Sequence, residues 1–190
     1  NDEMGPTAYL SVGWEGVSRR SPDAVALMLC QALIGSYKKN QGLVPGNISG
    51  NRTINAIANK MDVGCADEFE TFNISYKDTG LFGWYAQCDE VAVDHCVFEL
   101  MQGVNWLSHT VTDEEVERAK RDLQRTLFGG SGSSSEACSK IGEQVLAYGR
   151  GISTAEMVLR INAIDAEEIK RVAWERFADA EVAITGLGPL

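Results

Sequence analysis

The chain holds little of what catalytic sites are usually built from. Only two histidines, His95 and His109, occur in 190 residues. Neither opens a His-Glu-x-x-His or His-x-x-Glu-His pattern, whose spacing sets two imidazoles one helical turn apart around zinc. Glu99 follows His95 by four positions and could share its helix face, which still leaves one ligand too few for a catalytic zinc site. The five cysteines, at 30, 65, 88, 96 and 138, include no Cys-x-x-Cys pair. Structural zinc and a dithiol redox pair are therefore not indicated, and the set reads as reduced, mostly buried thiols. No Gly-x-Ser-x-Gly elbow is present. The run Gly130-Ser131-Gly132-Ser133-Ser134-Ser135 lacks the lysine of a phosphate-binding loop and reads as a flexible connection.

Positive charge is also scarce. Lys and Arg total 17 against 27 Asp and Glu, a net charge of −10. That argues against nucleic acid or an anionic membrane as the main partner. No window of about 18 consecutive apolar residues exists, so no transmembrane helix is expected. The opening Asn1-Asp2-Glu3 has no initiator Met and no basic stretch leading into an apolar run. The simplest reading is a mature, processed or partial chain. Three sequons, at Asn47, Asn51 and Asn73, are expected to be unmodified.

What is present suffices for a folded domain: 44% of residues are hydrophobic and 23% charged. Residues 7–14 alternate as a strand. Ser21-Pro22-Asp23 reads as a helix start, with Ser21 as N-cap. The stripe Val25, Met28, Leu29, Ala32, Leu33, Tyr37 carries that helix to the lysines at 38 and 39. A Gly- and Asn-rich loop precedes a short helix over 52–61. Then comes a hairpin: Phe72, Ile74 and Tyr76 share one side of its first strand, and Phe82, Trp84, Ala86 and Cys88 one side of its second. Lys77-Asp78-Thr79-Gly80 connects them through what should be a positive-φ turn.

The remainder is mostly helical. Residues 91–107 form a long apolar helix, and Thr112 with Glu115 forms a capping box for the next. On that helix Glu114–Arg118 and Glu117–Arg121 are expected ion pairs. Helices over 136–148 and from Ser153 follow, then one through Phe177 opened by Asp165 with Glu168. Residues 181–187 close as a strand. This order points to an α+β fold, an antiparallel or mixed sheet with helices packed on one face, in one domain spanning 1–190. Paired carboxylates such as Asp113/Glu114 and Glu167/Glu168 fall in first helical turns, where the helix dipole accounts for them. No complete active site is visible, and no catalytic, cofactor-binding or metal residue is assigned.

The stretch from Phe69 to Gly83, Phe-Glu-Thr-Phe-Asn-Ile-Ser-Tyr-Lys-Asp-Thr-Gly-Leu-Phe-Gly, resembles the hairpin of the pitrilysin-like zinc peptidases. Within that family it is most similar to the branch of mitochondrial processing peptidase β subunits and complex III core subunits. Asp2-Glu3-Met4, Trp14-Glu-Gly-Val-Ser, Ser21-Pro-Asp, Leu27-Met28 and Leu33-Ile-Gly35 agree with it in order. So do Val111-Thr112 through Lys120, Ile141-Gly-Glu-Gln144, Tyr148-Gly-Arg150, Ala163-Ile-Asp165 and Gly186-Leu-Gly-Pro189. The resemblance implies the C-terminal of two similar α+β halves, with the zinc motif in the N-terminal half and no cofactor in this chain.

It also implies, as partners, that N-terminal half, an α-type processing peptidase or core protein 2 subunit, other complex III subunits and basic presequence peptides, with neither nucleic acid nor a membrane span. The implied place is the matrix side of the mitochondrial inner membrane. Many family members use an Arg and a Tyr just ahead of the hairpin. Those positions are Lys60 and Asp67 here, so the pair is absent. A structural core role and the non-catalytic half of a peptidase are the two readings implied, in some lineages served by one protein. An unrelated interaction module is the third.

Overall fold

A computed structural model describes residues 5–39, 50–61, 64–129 and 134–189. Its strands are β1 (Thr7–Gly16), β2 (Ser36–Lys38), β3 (Glu68–Ser75), β4 (Gly80–Asp89) and β5 (Val182–Leu187). Its helices are α1 (Ala24–Ile34), α2 (Arg52–Asn59), α3 (Val93–His109), α4 (Asp113–Phe128), α5 (Ser134–Tyr148), α6 (Thr154–Asn162) and α7 (Ala166–Phe177). The strands form one sheet in the order β2-β3-β4-β1-β5. Every neighbouring pair is antiparallel, so of the two sheet types expected the antiparallel one is realised.

The alternation of β1 and β4 decides where the core lies. Leu10, Val12 and Trp14 pair with Ala86, Trp84 and Phe82, and all six are buried under the helices. Phe177 of α7 seals this layer, its ring 4.8 Å from Phe82 and 5.5 Å from Trp14. Burying one such large side chain is worth about 1.5–3 kcal/mol. The intervening residues, among them Tyr9, Leu81 and Tyr85, look out from the other face, where no described helix covers them. Helices therefore occupy one face, as the element order implied.

Local differences from the sequence reading have physical causes. Helix α1 stops at Ile34 rather than at Tyr37, because Gly35 adopts φ +80° and turns the chain out. Tyr37 then joins β2 opposite Phe69, their rings stacked 6.4 Å apart. Ser21 does not cap α1. Its hydroxyl accepts from the Asp23 amide at 3.2 Å, and Asp23 takes the cap position with its carboxylate engaged elsewhere. Helix α2 ends at Asn59, and Met61 enters the left-handed region at φ +59°.

The hairpin turn closes by Tyr76 donating its amide to the Thr79 carbonyl at 2.9 Å, with no positive φ at Lys77, Asp78, Thr79 or Gly80. Gly80 is needed for a different reason. A Cβ there would stand 2.6 Å from the Val17 carbonyl oxygen.

The capping box at Thr112 and Glu115 forms with both of its bonds. At α7 only half of the expected box is present. Asp165 accepts from the Glu168 amide, while the Glu168 carboxylate turns to Arg171. On α4 the Glu117 carboxylate takes Lys120 at 2.7 Å, and Arg121 donates to the Glu117 carbonyl instead. No Glu114–Arg118 ion pair forms, as the Arg118 guanidinium reaches across to Gly50.

Candidate functional site

The two positions that the family resemblance singled out lie just ahead of β3. Lys60 follows α2, and a turn closed by Gly64 donating to the Lys60 carbonyl at 2.8 Å folds the chain back under α3. The Lys60 ammonium then meets Glu99 of α3 at 2.7 Å, with side chains 39% and 14% exposed, and lies 5.9 Å over the Phe98 ring. The hydrogen bond and charge of Glu99 raise the lysine above its ordinary pKa, so it stays an ammonium and is no general base. Asp67 is engaged separately. Its carboxylate pairs with Lys39 at 3.3 Å, and its backbone bonds Lys39 and Gln87, which ties β2 to the start of β3. Both positions hold the fold together.

Beneath them lies a feature that the spacing of the cysteines did not reveal. Cys65, Cys88 and Cys96 are all buried, and their thiols form one cluster in which the single Cys96 proton can hydrogen-bond to either of the other two sulfurs. Those hydrogen bonds hold Cys96 well above the usual thiol range and draw Cys65 and Cys88 below it. Burial pushes Cys30 up to about 12. All five thiols are free and only Cys138 is exposed, in line with the sequence reading. Only tertiary packing could place residues this far apart in the chain together.

Metal ligation finds no support here. Among the described residues no group of three or more His, Cys, Asp or Glu is placed to hold a metal ion. His95 is exposed on α3. His109 has Nδ1 3.0 Å from the Asn105 carbonyl and its ring edge-on to Trp174.

The acidic residues at the start of α7 are tied up, Glu167 by Lys170 and Glu168 by Arg171. A recess of about 760 Å³ opens between Trp14, Glu15, Glu175 and Arg176. Two of its three carboxylates are also partnered, Glu15 by the Thr79 hydroxyl at 2.8 Å and Glu175 by Arg171 at 2.9 Å, while Glu181 is exposed at the rim. Groups satisfied in this way serve packing better than proton transfer.

The sequons divide. Asn47 and residues 130–133 lie outside the described residues. Asn51 is buried, caps α2 and donates to the Leu33 carbonyl at 2.8 Å. Asn73 sits on the core side of β3 with its Oδ1 buried.

One structural centre was not foreseen. Asp23, 8% exposed, receives Arg171 at 2.7 Å and Arg176 at 3.5 Å, joining the start of α1 to α7 across 148 positions of sequence. Its place after Ser-Pro made it look like an ordinary first-turn acid, and no local signal marks a partner so distant.

Comparison with known proteins finds relatives along the whole chain. Residues 1–123 match the family model described as "Peptidase M16 inactive domain". The chain is 38% identical over 192 residues to the probable mitochondrial-processing peptidase subunit beta of Arabidopsis thaliana, covering all of this chain and 35% of that protein. It is 34% identical to cytochrome b-c1 complex subunit 1 of Rattus norvegicus, covering all of this chain and 38% of that one. A chain of the solved structure "Complex III2 from Candida albicans, Inz-5 bound" superposes with a TM-score of 0.87 at 25% identity. That match covers 97% of this chain and 43% of the other. The sequence thus spans well under half the length of these relatives.

Proposed function

This chain belongs to the peptidase M16 family, and from that premise we propose that it is the C-terminal part of a structural core subunit. The assembly is a mitochondrial cytochrome b-c1-type complex, with the chain on the matrix side of the inner membrane. The observation that carries this reading is the shared fold along 97% of the chain with a subunit chain from a complex III structure. The engagement of Lys60 by Glu99 and of Asp67 by Lys39 supports a scaffold role over a share in chemistry. Its partners are then the N-terminal half of the same subunit, an α-type or core protein 2 subunit, and the remaining complex III subunits.

The second reading is the non-catalytic half of a mitochondrial processing peptidase β subunit, favoured by the 38% identity to the Arabidopsis thaliana relative. Zinc would then be held outside this chain, by the half carrying His-x-x-Glu-His. The net charge of −10 would favour basic presequences through long-range attraction. Purification of the tagged native protein from mitochondria separates the two readings. Recovery with cytochrome b and cytochrome c1 is expected. Recovery with only an α-type peptidase partner, together with chelator-sensitive presequence cleavage, would overturn the core-subunit reading.

A further inference from the structure

The two edges of the sheet are built differently. Edge strand β2 has three residues, and its rim is charged, with Lys38 paired to Glu68 at 2.7 Å and Lys39 to Asp67. Short, lysine-bearing edges of this kind resist pairing with other strands. Edge strand β5 is twice as long and carries no charge, reading Val-Ala-Ile-Thr-Gly-Leu. Every one of its residues is exposed, and among the described residues β1 is its only strand neighbour. Register places Val182 and Ile184 beside Trp14 and Val12 on the helix-covered side, and Leu187 beside Tyr9 on the other. Yet Ile184 is 64% exposed, because the helix layer stops short of this strand, and Leu187 on the uncovered face is 55% exposed. Apolar side chains on both faces, with an outer row of backbone groups that no described strand pairs, make a template for a further strand.

Resting on the reading that this chain is part of a larger M16 subunit, the geometry points to β5 as the seam of that subunit: it accepts a β-strand from the polypeptide that completes it. The occupant follows from length, since the relatives and the solved chain carry more than half their residues beyond the matched region. Backbone hydrogen bonds along the edge supply the attachment. An apolar residue on each face of the incoming strand covers Ile184 and Leu187.

The test is amide hydrogen exchange, resolved by residue, on the native assembly purified from its source, with cross-linking mass spectrometry on the same sample. The outward-facing amides of 182–187 are expected to exchange on the order of a hundredfold more slowly than a free edge, with cross-links from β5 to an M16 segment outside this chain. Exchange at free-edge rates would overturn the inference, as would cross-links only to a second copy of β5 or to a protein of another family. Ile184→Lys in the full subunit is expected to lower recovery of the completed subunit about tenfold while its circular dichroism stays unchanged. Undiminished recovery would count against the seam. Which cytochrome or peptidase subunits co-purify bears on the proposed function alone, so the two failures are distinguishable.

Discussion

The two faces of the sheet are made from neighbouring residues of the same strands, yet they carry different burdens. On the helix side Trp84 is wholly buried, and its flanking partners Val12 and Thr71 are buried with it. One residue on, Tyr85 stands exposed on the open side, stacked on Tyr9 at 6.4 Å. One face stores the stability of the domain. The other is surface whose apolar residues contribute little until something covers it.

The largest effect should come from Trp84→Ala, which leaves a cavity in the buried core and costs about 3–5 kcal/mol. Tyr85→Ala should cost about 0.5 kcal/mol. Denaturant midpoints of the two variants measure the contrast directly, and equal losses would erase it. Gly83→Ala tests whether the open face tolerates addition as well as truncation. Its new Cβ would press on the Val12 carbonyl and stand 2.7 Å from the Phe72 ring, so a loss of about 2–3 kcal/mol is expected by chemical unfolding. Asp23→Asn leaves Arg171 and Arg176 without their shared carboxylate at the edge of the helix layer. Because both arginines reach water, about 1–2 kcal/mol is expected, seen as a lower thermal midpoint.

The smallest effect lies away from both faces, at the start of α6. Arg150 and Arg160 hold Glu156 at about 2, down from 4.5. A carboxylate depressed in the folded state adds stability above its unfolded pKa and loses it as pH falls through the folded one. Glu156→Gln should therefore melt below the parent at neutral pH, with the gap closing between pH 4.5 and 2. A pH series of melting temperatures checks this, and a constant gap would contradict it.

Much of the fold was legible because its signals are local. Thr112 with Glu115 and the alternation of β1 each act within a few residues, and each appears where the sequence placed it. The turn at Lys77–Gly80 shows the limit of such signals. Its residues were right for a tight connection, but glycine is there for the close approach of Val17 and not for a positive φ. The candidate site was less legible. Lys60 and Asp67 could be located by counting from the hairpin, but their partners Glu99 and Lys39 come from α3 and β2. Nothing near Asp23 announces Arg171.

By itself the sequence determined every helix and every strand but β2, their order, the acidic balance and the family likeness, because periodicity, caps and motif order are properties of short stretches. It sorted Phe72, Ile74 and Tyr76 onto one side of β3, but an alternation of period two carries no sign. Which side is the core depends on which side the helices cover, and that side holds Phe69, Thr71 and Asn73. The same holds for the thiols of Cys65, Cys88 and Cys96, for the Asp23 ion pairs and for the bare edge of β5. Each depends on distances between residues remote in the chain, and those distances exist only once the layers have packed.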